Sequence, residues 1–333
     1  MRGSVRAAGA GLALVALAVV GSPARLDAQE AALVRRCALE TQGGAAARFC
    51  NLVAQAVEVI QPPLGLAASG GNPVPGTAST LGMRLPDIPR FTVAGRVTGV
   101  WTDIPEIRDV AGRGDIGVFL PSLNVDAAIG VFRGFSPAAT VGGVLSVDAL
   151  ASIGIVPLPG GDGFQDETPF SWALGARLGV LRESFTLPGI SLSAMYRRLG
   201  DVEFGDPLLL RRDAFFSLDG ESIWSLRAAV GKRLFLLGVT AGLGYDHLSS
   251  DVRLAVANPD PTGPTEFRLG LDDFENDRTS AFLNVSWTLL VLHVVGELGW
   301  QSGADLVPGT LPGNRDFDTG GTFFGSFALR LSI

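Results

Sequence analysis

Two pairs of neighbouring residues carry side chains suited to acid–base chemistry. Asp246 is followed by His247, and Asp272 is followed by Asp273. A carboxylate that orients an imidazole, or two carboxylates that share a proton, can activate water or a nucleophile. Asp246 and His247 lie in a segment with strand-like alternation, where consecutive side chains point to opposite faces. These two residues therefore cannot form one catalytic pair unless the strand contains a β-bulge.

The two cysteines of the mature chain, Cys37 and Cys50, lie in a region without strand-like alternation. Within residues 30–61, apolar residues recur at helical spacing on both sides of Gln42-Gly43-Gly44, and Pro62-Pro63 predicts the end of the second helix. An even pair of cysteines flanking a helical turn predicts a disulfide in an oxidising compartment. Two thiolates without a nearby histidine make half of a zinc site, so we expect no metal.

Glycine-rich stretches do not have the form of a phosphate-binding loop. Gly238–Gly244 alternates within a strand-like segment, and no Gly-Lys-Ser/Thr sequence follows it. The net charge is −7 at pH 7, and it becomes about −9 if residues 1–28 are removed. An acidic chain of this size is a poor candidate for binding nucleic acid. We therefore expect neither a cofactor nor a nucleic-acid partner.

The elements that would position these residues are strands. Apolar and polar residues alternate through ten segments, as in strands with one apolar and one polar face. The chain is 47% hydrophobic, yet no later segment has the roughly 18 consecutive apolar residues of a membrane-spanning helix. This combination predicts an antiparallel transmembrane β-barrel of about ten strands. The segments are 90–102, 121–133, 138–153, 168–181, 189–199, 214–232, 234–248, 278–289, 291–302 and 321–333.

The connections between these segments alternate between long and short without exception. The shortest are the breaks at residue 233 and residue 290, and the longest is 249–277. Up-and-down outer-membrane barrels have short periplasmic turns and longer extracellular loops. A soluble β-sandwich has no reason to sort its connections in this way. The pattern therefore predicts that the C-terminus and the short turns face the periplasm.

The aromatic residues fit the same pattern of two faces. All five tryptophans fall on the apolar face. Rings that are partly apolar and partly hydrogen-bonding settle at membrane interfaces, so two aromatic belts are expected. The alternative is that they form the core of a large sandwich. The predicted interface residues are Trp101, Trp172, Tyr196, Trp224, Tyr245, Trp287 and Trp300.

The opposite face carries small residues and charges, which we assign to the barrel lumen. A charge facing lipid near the midplane costs about 2–4 kcal/mol, so the lumen is the favourable place for it. Arg96 is predicted beside Asp126, and mixed charges at one depth can neutralise one another. The network is either structural, which the narrow interior favours, or a filter for small solutes. Its members are Arg96, Asp126, Asp148, Arg177, Arg197, Arg227, Glu297 and Arg330, with Asp246 on the same face.

The N-terminus predicts export. Arg2 and Arg6 precede an apolar run from Ala7 to Val20, which is the pattern of a cleaved signal peptide. We predict a signal peptide at 1–28, a disulfide-stapled helical hairpin at 29–63, an irregular linker at 64–88 and the barrel at 89–333. A hairpin of this size has little core of its own, so it docks elsewhere. The periplasmic mouth, the lumen and a partner protein remain open as docking places.

The last thirteen residues, Gly321–Ile333, alternate between apolar residues such as Phe323, Phe327 and Leu331 and smaller or polar ones such as Ser326 and Arg330. This end resembles the closing strand of a Gram-negative outer-membrane β-barrel, although those usually end in Phe and this chain ends in Ile. The resemblance implies an outer-membrane location, contact with outer-membrane lipid, and recognition by the barrel-assembly machinery through the C-terminal strand.

The predicted function is a barrel without a catalytic role, which acts as a structural or surface-display barrel or as a narrow pore for small solutes. The alternative is an enzyme. In size the barrel resembles the omptin-type proteases, whose chemistry uses acidic pairs and an Asp/His couple at the extracellular rim. The opposed directions of Asp246 and His247 argue against this alternative, and the other histidine, His293, lies near the periplasmic end.

Overall fold

The computed structural model describes residues 35, 39, 47–85, 88–105, 115–137, 141–158, 160, 164–205, 214–257, 266–303 and 321–333. One long helix, α1, precedes ten long strands. The helix is Ala47–Ser69. The strands are β1 (Phe91–Pro105), β2 (Asp115–Phe132), β3 (Ser146–Ile155), β4 (Phe170–Leu181), β5 (Gly189–Leu199), β6 (Ala214–Leu234), β7 (Leu237–Ala257), β8 (Glu266–Leu289), β9 (Leu292–Gln301) and β10 (Thr322–Ser332).

The ten strands form one closed antiparallel barrel. Each strand pairs with the next along the chain, and β10 pairs with β1, which closes the sheet. The seam runs from Phe323 opposite Trp101 to Ser332 opposite Thr92. A short strand, Val202–Gly205, adds to the outer part of β6, and Met83–Leu85 pairs with Ile88–Pro89 just before the barrel. The prediction of ten barrel strands is confirmed.

Alternation of side chains explains why these segments form a barrel wall. On β1, Val93, Val97 and Trp101 are exposed on the outside, whereas Arg96 and Thr98 are buried inside. A closed sheet leaves no unpaired edge, so every backbone group in the wall can be satisfied within the sheet. The wall therefore has an apolar exterior and a polar interior over the part of each strand that carries this pattern.

The two ends of the barrel differ. At one end, here called the turn end, β6–β7 and β8–β9 are joined by the pairs 235–236 and 290–291, β1 begins and β10 ends. The other end, called the loop end, carries the connections after β1, β3, β5, β7 and β9. The strands continue furthest toward the loop end in β6, β7 and β8.

The polarity of the two faces reverses toward the loop end, and one prediction was wrong for this reason. Residues 249–277 were expected to form a long loop, but β7 continues to Ala257 and β8 begins at Glu266. Here Val252 and Leu254 face inward and are buried, while Arg253 is exposed outside. The side chains still alternate, but the outer face is now polar. The sequence analysis assumed an apolar outer face on every strand. It therefore did not identify these residues as part of a strand.

The prediction that long and short connections alternate without exception was also wrong at one place. The connection between β2 and β3 covers residues 133–145, because β3 begins at Ser146 and not at residue 138. Gly134 and Gly143 adopt positive φ angles of 74° and 67°. Both conformations favour glycine and break the strand. Phe135 and Val144 then form a small bridge beyond the barrel wall.

Helix α1 continues through Pro62-Pro63 and ends at Ser69, so the predicted end of this helix was wrong. A proline within a helix removes a hydrogen bond and normally breaks or kinks it. Here the side chains around the two prolines, including Ile60, Leu64 and Leu66, are almost completely buried inside the barrel. Burial of apolar area at about 25 cal/mol per Å² offsets the lost hydrogen bonds.

Candidate functional site

Helix α1 occupies the lumen. Residues 56–61 are all buried, and as consecutive residues over more than one turn they point to every side of the helix. A helix that is buried on all sides must lie within a protein interior. Its apolar residues belong to one buried cluster with loop-end side chains of the wall: Ile104, Val118, Phe216, Leu218, Val252, Leu254 and Phe274. The reversed polarity of the loop-end wall thus provides an apolar chamber for the helix.

Two buried polar residues of α1, Glu58 and Gln61, have partners in the wall. Glu58 accepts a hydrogen bond of 2.9 Å from Arg278 and one of 3.2 Å from Asn276. The amide nitrogen of Gln61 donates to the Ser250 hydroxyl at 3.0 Å. Buried polar groups are costly without such partners. These contacts fix the rotation of the helix relative to β7 and β8.

Residues 70–82, here called the luminal segment, leave the helix and pass through the polar half of the lumen to the turn end. Side chains of the wall bind the main chain of this segment. Arg96 Nη1 donates to the Gly70 carbonyl at 2.9 Å, and Arg227 Nε donates to the Gly71 carbonyl at 3.3 Å. Further contacts are Asn72 N to Glu297 (2.9 Å), Gly76 N to Asn284 (2.9 Å), Arg177 to Thr77 O (3.4 Å), Leu81 N to Asp148 (3.0 Å) and Arg330 to Pro75 O.

Gly71 allows the closest of these approaches. Its φ angle is +82°, and an added Cβ would lie 1.6 Å from Glu297 Oε1. A side chain at this position would be strained by the backbone and would collide with a buried carboxylate. The side chains of the wall therefore pack directly against the main chain of the luminal segment.

Four buried arginines of the interior form ion pairs with buried carboxylates. A charge out of contact with water requires a close partner, and replacing one member leaves the other uncompensated. Three of the pairs join neighbouring wall strands, and one joins the wall to α1. The pairs are Arg96–Asp126 at 3.1 Å, Arg177–Asp148 at 2.7 Å, Arg227–Asp246 at 2.8 Å and Arg278–Glu58 at 2.9 Å.

The other three predicted lumen residues have different surroundings. Arg197 donates to the hydroxyls of Ser171 and Ser152 at 3.1 and 3.2 Å. Glu297 accepts from Asn284 at 2.5 Å and from Ser326 at 3.2 Å, besides its bond to the luminal segment. Arg330 is buried, and no carboxylate forms an ion pair with it within the described part of the chain.

The predicted interface aromatics lie on the outside of the wall. Trp101, Trp172, Trp224, Trp287 and Trp300 are each between 37% and 58% exposed. Tyr196 is half-buried between two of them on neighbouring strands. Its ring centroid lies 6.0 Å from that of Trp172 and 5.1 Å from that of Trp224. Trp287 lies toward the turn end, and the others lie toward the loop end.

Asp246 and His247 point to opposite sides of the wall. Asp246 is buried in the lumen against Arg227, whereas His247 lies outside. On the outer face Asp277 Oδ1 lies 2.8 Å from His247 Nδ1 and accepts a hydrogen bond of 2.7 Å from the Tyr245 hydroxyl. Asp272 and Asp273 are exposed residues of β8, not of a loop. The two pairs singled out for acid–base chemistry are therefore not brought together.

A cavity of about 410 Å³ lies at the turn end, between the wall and the luminal segment. His293 is buried beside it, and Thr288 Oγ1 lies 3.0 Å from its Nδ1. Basic side chains predominate in the lining, with Arg90, Arg182, Lys232 and Arg233 joining Arg330. This end of the lumen is thus a cationic recess.

Within the described residues, no group of three His, Cys, Asp or Glu side chains is arranged to hold a metal ion. No helix there is long and apolar enough to cross a membrane. Cys37 and the side chain of Cys50 lie outside the described residues, so the disulfide between them stays a prediction.

The sequence analysis missed the residues that hold α1 and the luminal segment in the lumen, above all Asn72, Gln61 and Asn284. One signal was available for the helix, since residues 56–68 are apolar on every side apart from Glu58 and Gln61. No signal was available for the luminal segment, because the wall contacts its amides and carbonyls, which every residue shares. The buried carboxylate of Glu221 was also missed. It has no hydrogen-bond partner in the described region and faces the helix near Gly65.

Neither a known protein-family model nor a curated protein matches the chain. Among solved structures it is similar to the translocator domain of the autotransporter NalP from Neisseria meningitidis, with 12% identity, a TM-score of 0.34, and coverage of 73% of this chain and 87% of that one. It is also similar to the transport unit of the autotransporter AIDA-I from Escherichia coli (8% identity, TM-score 0.33, coverage 83% and 97%) and to a TodX mutant, a monoaromatic hydrocarbon channel (9%, 0.31, 74% and 90%). By its closed ten-strand pairing and apolar exterior, the chain is a β-barrel of the outer-membrane class.

Proposed function

We propose that this protein is a non-catalytic outer-membrane barrel that is closed by its own N-terminal region and displays that region at the cell surface. The observation that carries the proposal is the binding of the luminal segment by wall side chains from most of the ten strands. Buried main-chain groups that are satisfied in this way form a stable seal. A barrel with such an interior serves as a scaffold.

The exterior supports insertion in outer-membrane lipid. Between the aromatic residues toward the loop end and Trp287 toward the turn end, the outward side chains are apolar, for example Leu283, Val285 and Leu329. Rings at both limits of an apolar band are typical of membrane barrels. In this proposal the seven predicted interface aromatics contact lipid head groups. The C-terminal strand β10, which ends at Ser332, engages the barrel-assembly machinery.

The course of the chain supports surface display. The buried part of α1 lies in the loop-end chamber, and the luminal segment then runs to the turn end, where β1 begins. If the turn end faces the periplasm, as the short turns favour, the residues that precede α1 start on the extracellular side. The region 29–46 would then be presented outside the cell, and the predicted disulfide between Cys37 and Cys50 would join it to the beginning of α1.

A narrow pore for small solutes is the second candidate. The recess at the turn end favours it, because protein atoms leave this part of the lumen unfilled. The apolar contacts of α1 at the loop end count against a continuous path. A measurement of ion current across the membrane distinguishes the two functions.

We expect the mature chain, refolded into a planar bilayer, to show conductance near zero, and a variant lacking residues 47–82 to conduct. The reason is that both halves of the lumen are filled by this one stretch of chain. Single-channel recording measures the difference. Heat-modifiable migration on gels verifies that the shortened variant still folds as a barrel. A large, weakly selective current in the unshortened chain would establish a general pore and defeat the closed-barrel proposal.

Orientation can be tested on intact cells in a variant whose two cysteines are serine. Arg268→Cys at the loop end should react with a membrane-impermeant maleimide, whereas Phe235→Cys at the turn end should not, although both positions are exposed. An epitope inserted after Glu30 should bind antibody on intact cells. Labelling of Phe235→Cys alone would reverse the assigned orientation, and an epitope reached only after permeabilisation would overturn surface display.

A further inference from the structure

The cationic recess at the turn end differs electrostatically from the rest of the lumen. Five arginine and lysine side chains line it, against one acidic side chain, Glu183, and the C-terminal carboxylate of Ile333. Elsewhere in the described interior, four buried arginines are paired with carboxylates, and Arg197 contacts the hydroxyls of Ser171 and Ser152. The excess of positive charge at the turn end is therefore a local feature.

Arg330 is the central residue of this recess. It is only 5% exposed, and its Nη1 donates to the Pro75 carbonyl. Its Nε has no hydrogen-bond partner within the described structure. A buried guanidinium normally has a carboxylate or an equivalent anion beside it, since the desolvation of its charge is otherwise uncompensated. This arginine lacks such an anion from the protein itself.

Arg182 also lines the recess, where it is half-buried and has Asp148 as a nearby carboxylate. Its Nη2 donates to the Arg133 carbonyl at 3.0 Å, while its Nε has no partner among described atoms. Arg182 lies in the connection between β4 and β5, outside the membrane-spanning strands. Burial and the like charge of Arg90 lower the pKa of Arg182. These cations repel one another, and an anion between them would relieve that repulsion.

Not every cation of the recess is available to a ligand. Lys232 Nζ donates to the carbonyls of Ser184, Phe185 and Leu187 at 2.5 to 3.1 Å, so its three protons are already used. Arg90 and Arg233 lie at the exposed rim. The hydroxyls of Thr288 and Ser332 also line the recess. Guanidinium forks and hydroxyls are the donors that bind tetrahedral oxyanions.

We propose that the turn-end recess is a binding site for a phosphate group, held by Arg330 and Arg182 inside and by Arg90 and Arg233 at the rim. The volume of about 410 Å³ admits a phosphate together with a small organic substituent. The phosphate comes either from a free phosphate compound in the surrounding water or from the head group of a lipid at the same side of the membrane. The site is independent of whether the lumen conducts, so its test does not depend on the proposed function.

The test is calorimetric titration of the full mature chain with inorganic phosphate, in a detergent without phosphate and with chloride matching the ionic strength. We expect saturable binding to one site. Arg233→Ser and Arg90→Ser, both at exposed rim positions, should each weaken the affinity about tenfold, as for the loss of one charge-assisted contact. Arg253→Ser at the loop end, with an exposed side chain, is the matched control and should leave the affinity unchanged.

A second titration with short-chain phosphatidylglycerol distinguishes the two sources. If the lipid displaces inorganic phosphate and does so at a lower concentration than the phosphate itself requires, the site is assigned to lipid head groups. If inorganic phosphate binds and the lipid does not, the site is assigned to free phosphate compounds. Absence of saturable binding by either ligand would overturn the proposal. Equal weakening of phosphate binding in the two rim variants and in the control variant would also overturn the proposal, because the binding would then be non-specific.

Discussion

Replacement of Asp148 by alanine is expected to lower the free energy of unfolding by about 3–5 kcal/mol, the usual cost of removing one partner of a buried ion pair. Asp148 is fully buried, and it accepts hydrogen bonds from Arg177 Nη2 at 2.7 Å and from Arg177 Nε at 3.0 Å. The same carboxylate binds the Leu81 amide at 3.0 Å. The alanine variant thus leaves a buried guanidinium without its counter-charge and releases the luminal segment near the turn end.

Urea unfolding in detergent or lipid, followed by the gel shift of the folded barrel, measures this effect. Asp103→Ala is the matched control, since this carboxylate is exposed on the outside of β1 and surface substitutions usually change stability by less than about 0.5 kcal/mol. The double change Asp148→Leu with Arg177→Met should recover part of the loss, because it removes the uncompensated charge. Equal stability of Asp148→Ala and the control would mean that the pair does not hold the wall together.

Substitution of Gly71 by alanine should both destabilise the protein and open the lumen. The φ angle of +82° is unfavourable for alanine by about 1–2 kcal/mol. The new methyl group would also lie 1.6 Å from Glu297 Oε1 unless the segment moves. Moving the segment breaks the bonds of Asn72 N to Glu297 and of Arg227 to the Gly71 carbonyl. We expect a total loss of at least about 2 kcal/mol, since overpacking adds to the backbone strain.

Single-channel recording is the second measurement on this variant, with brief openings expected where the unsubstituted chain shows none. Gly95→Ala is a suitable control, because an added Cβ at Gly95 on the outer face of β1 would meet no atom within 4 Å. A Gly71→Ala protein that is as stable and as closed as the Gly95→Ala protein would show that the fit between the segment and the wall is loose.

The barrel itself could be predicted from the sequence because its physical cause is local. An apolar exterior next to a polar lumen imposes a period of two on each strand, as seen for Val93, Arg96 and Val97. The outer parts of β7 and β8 were missed because the exterior there contacts water, so Val252 and Leu254 turn inward to pack on α1. The inward direction of these apolar side chains depends on the position of α1 in the lumen. A local sequence pattern contains no information about that position.

The contents of the lumen were harder to predict for a related reason. The charges of the wall were visible as inward residues, and Arg96 next to Asp126 follows from strand order alone. Their contacts with residues 70–82 were not visible, because they join positions up to about 250 residues apart through backbone atoms. The continuation of α1 past Pro62-Pro63 likewise depends on enclosure by the barrel, which outweighs the helix-breaking tendency of proline.

Recognition of the luminal segment through its backbone has a consequence for how freely its sequence can change in evolution. The Gly70, Pro75 and Thr77 carbonyls are bound by arginines whatever side chains those residues carry. Mutations in this stretch are therefore tolerated wherever the new side chain has room, which is not the case at Gly71, Gly76 and Gly82, where φ is positive and an added Cβ would collide with the wall or with Arg182. The wall residues have no such freedom, because Arg96, Arg177 and Glu297 act through their side chains. We expect homologous chains to vary more within residues 72–81 than at the wall positions that bind them.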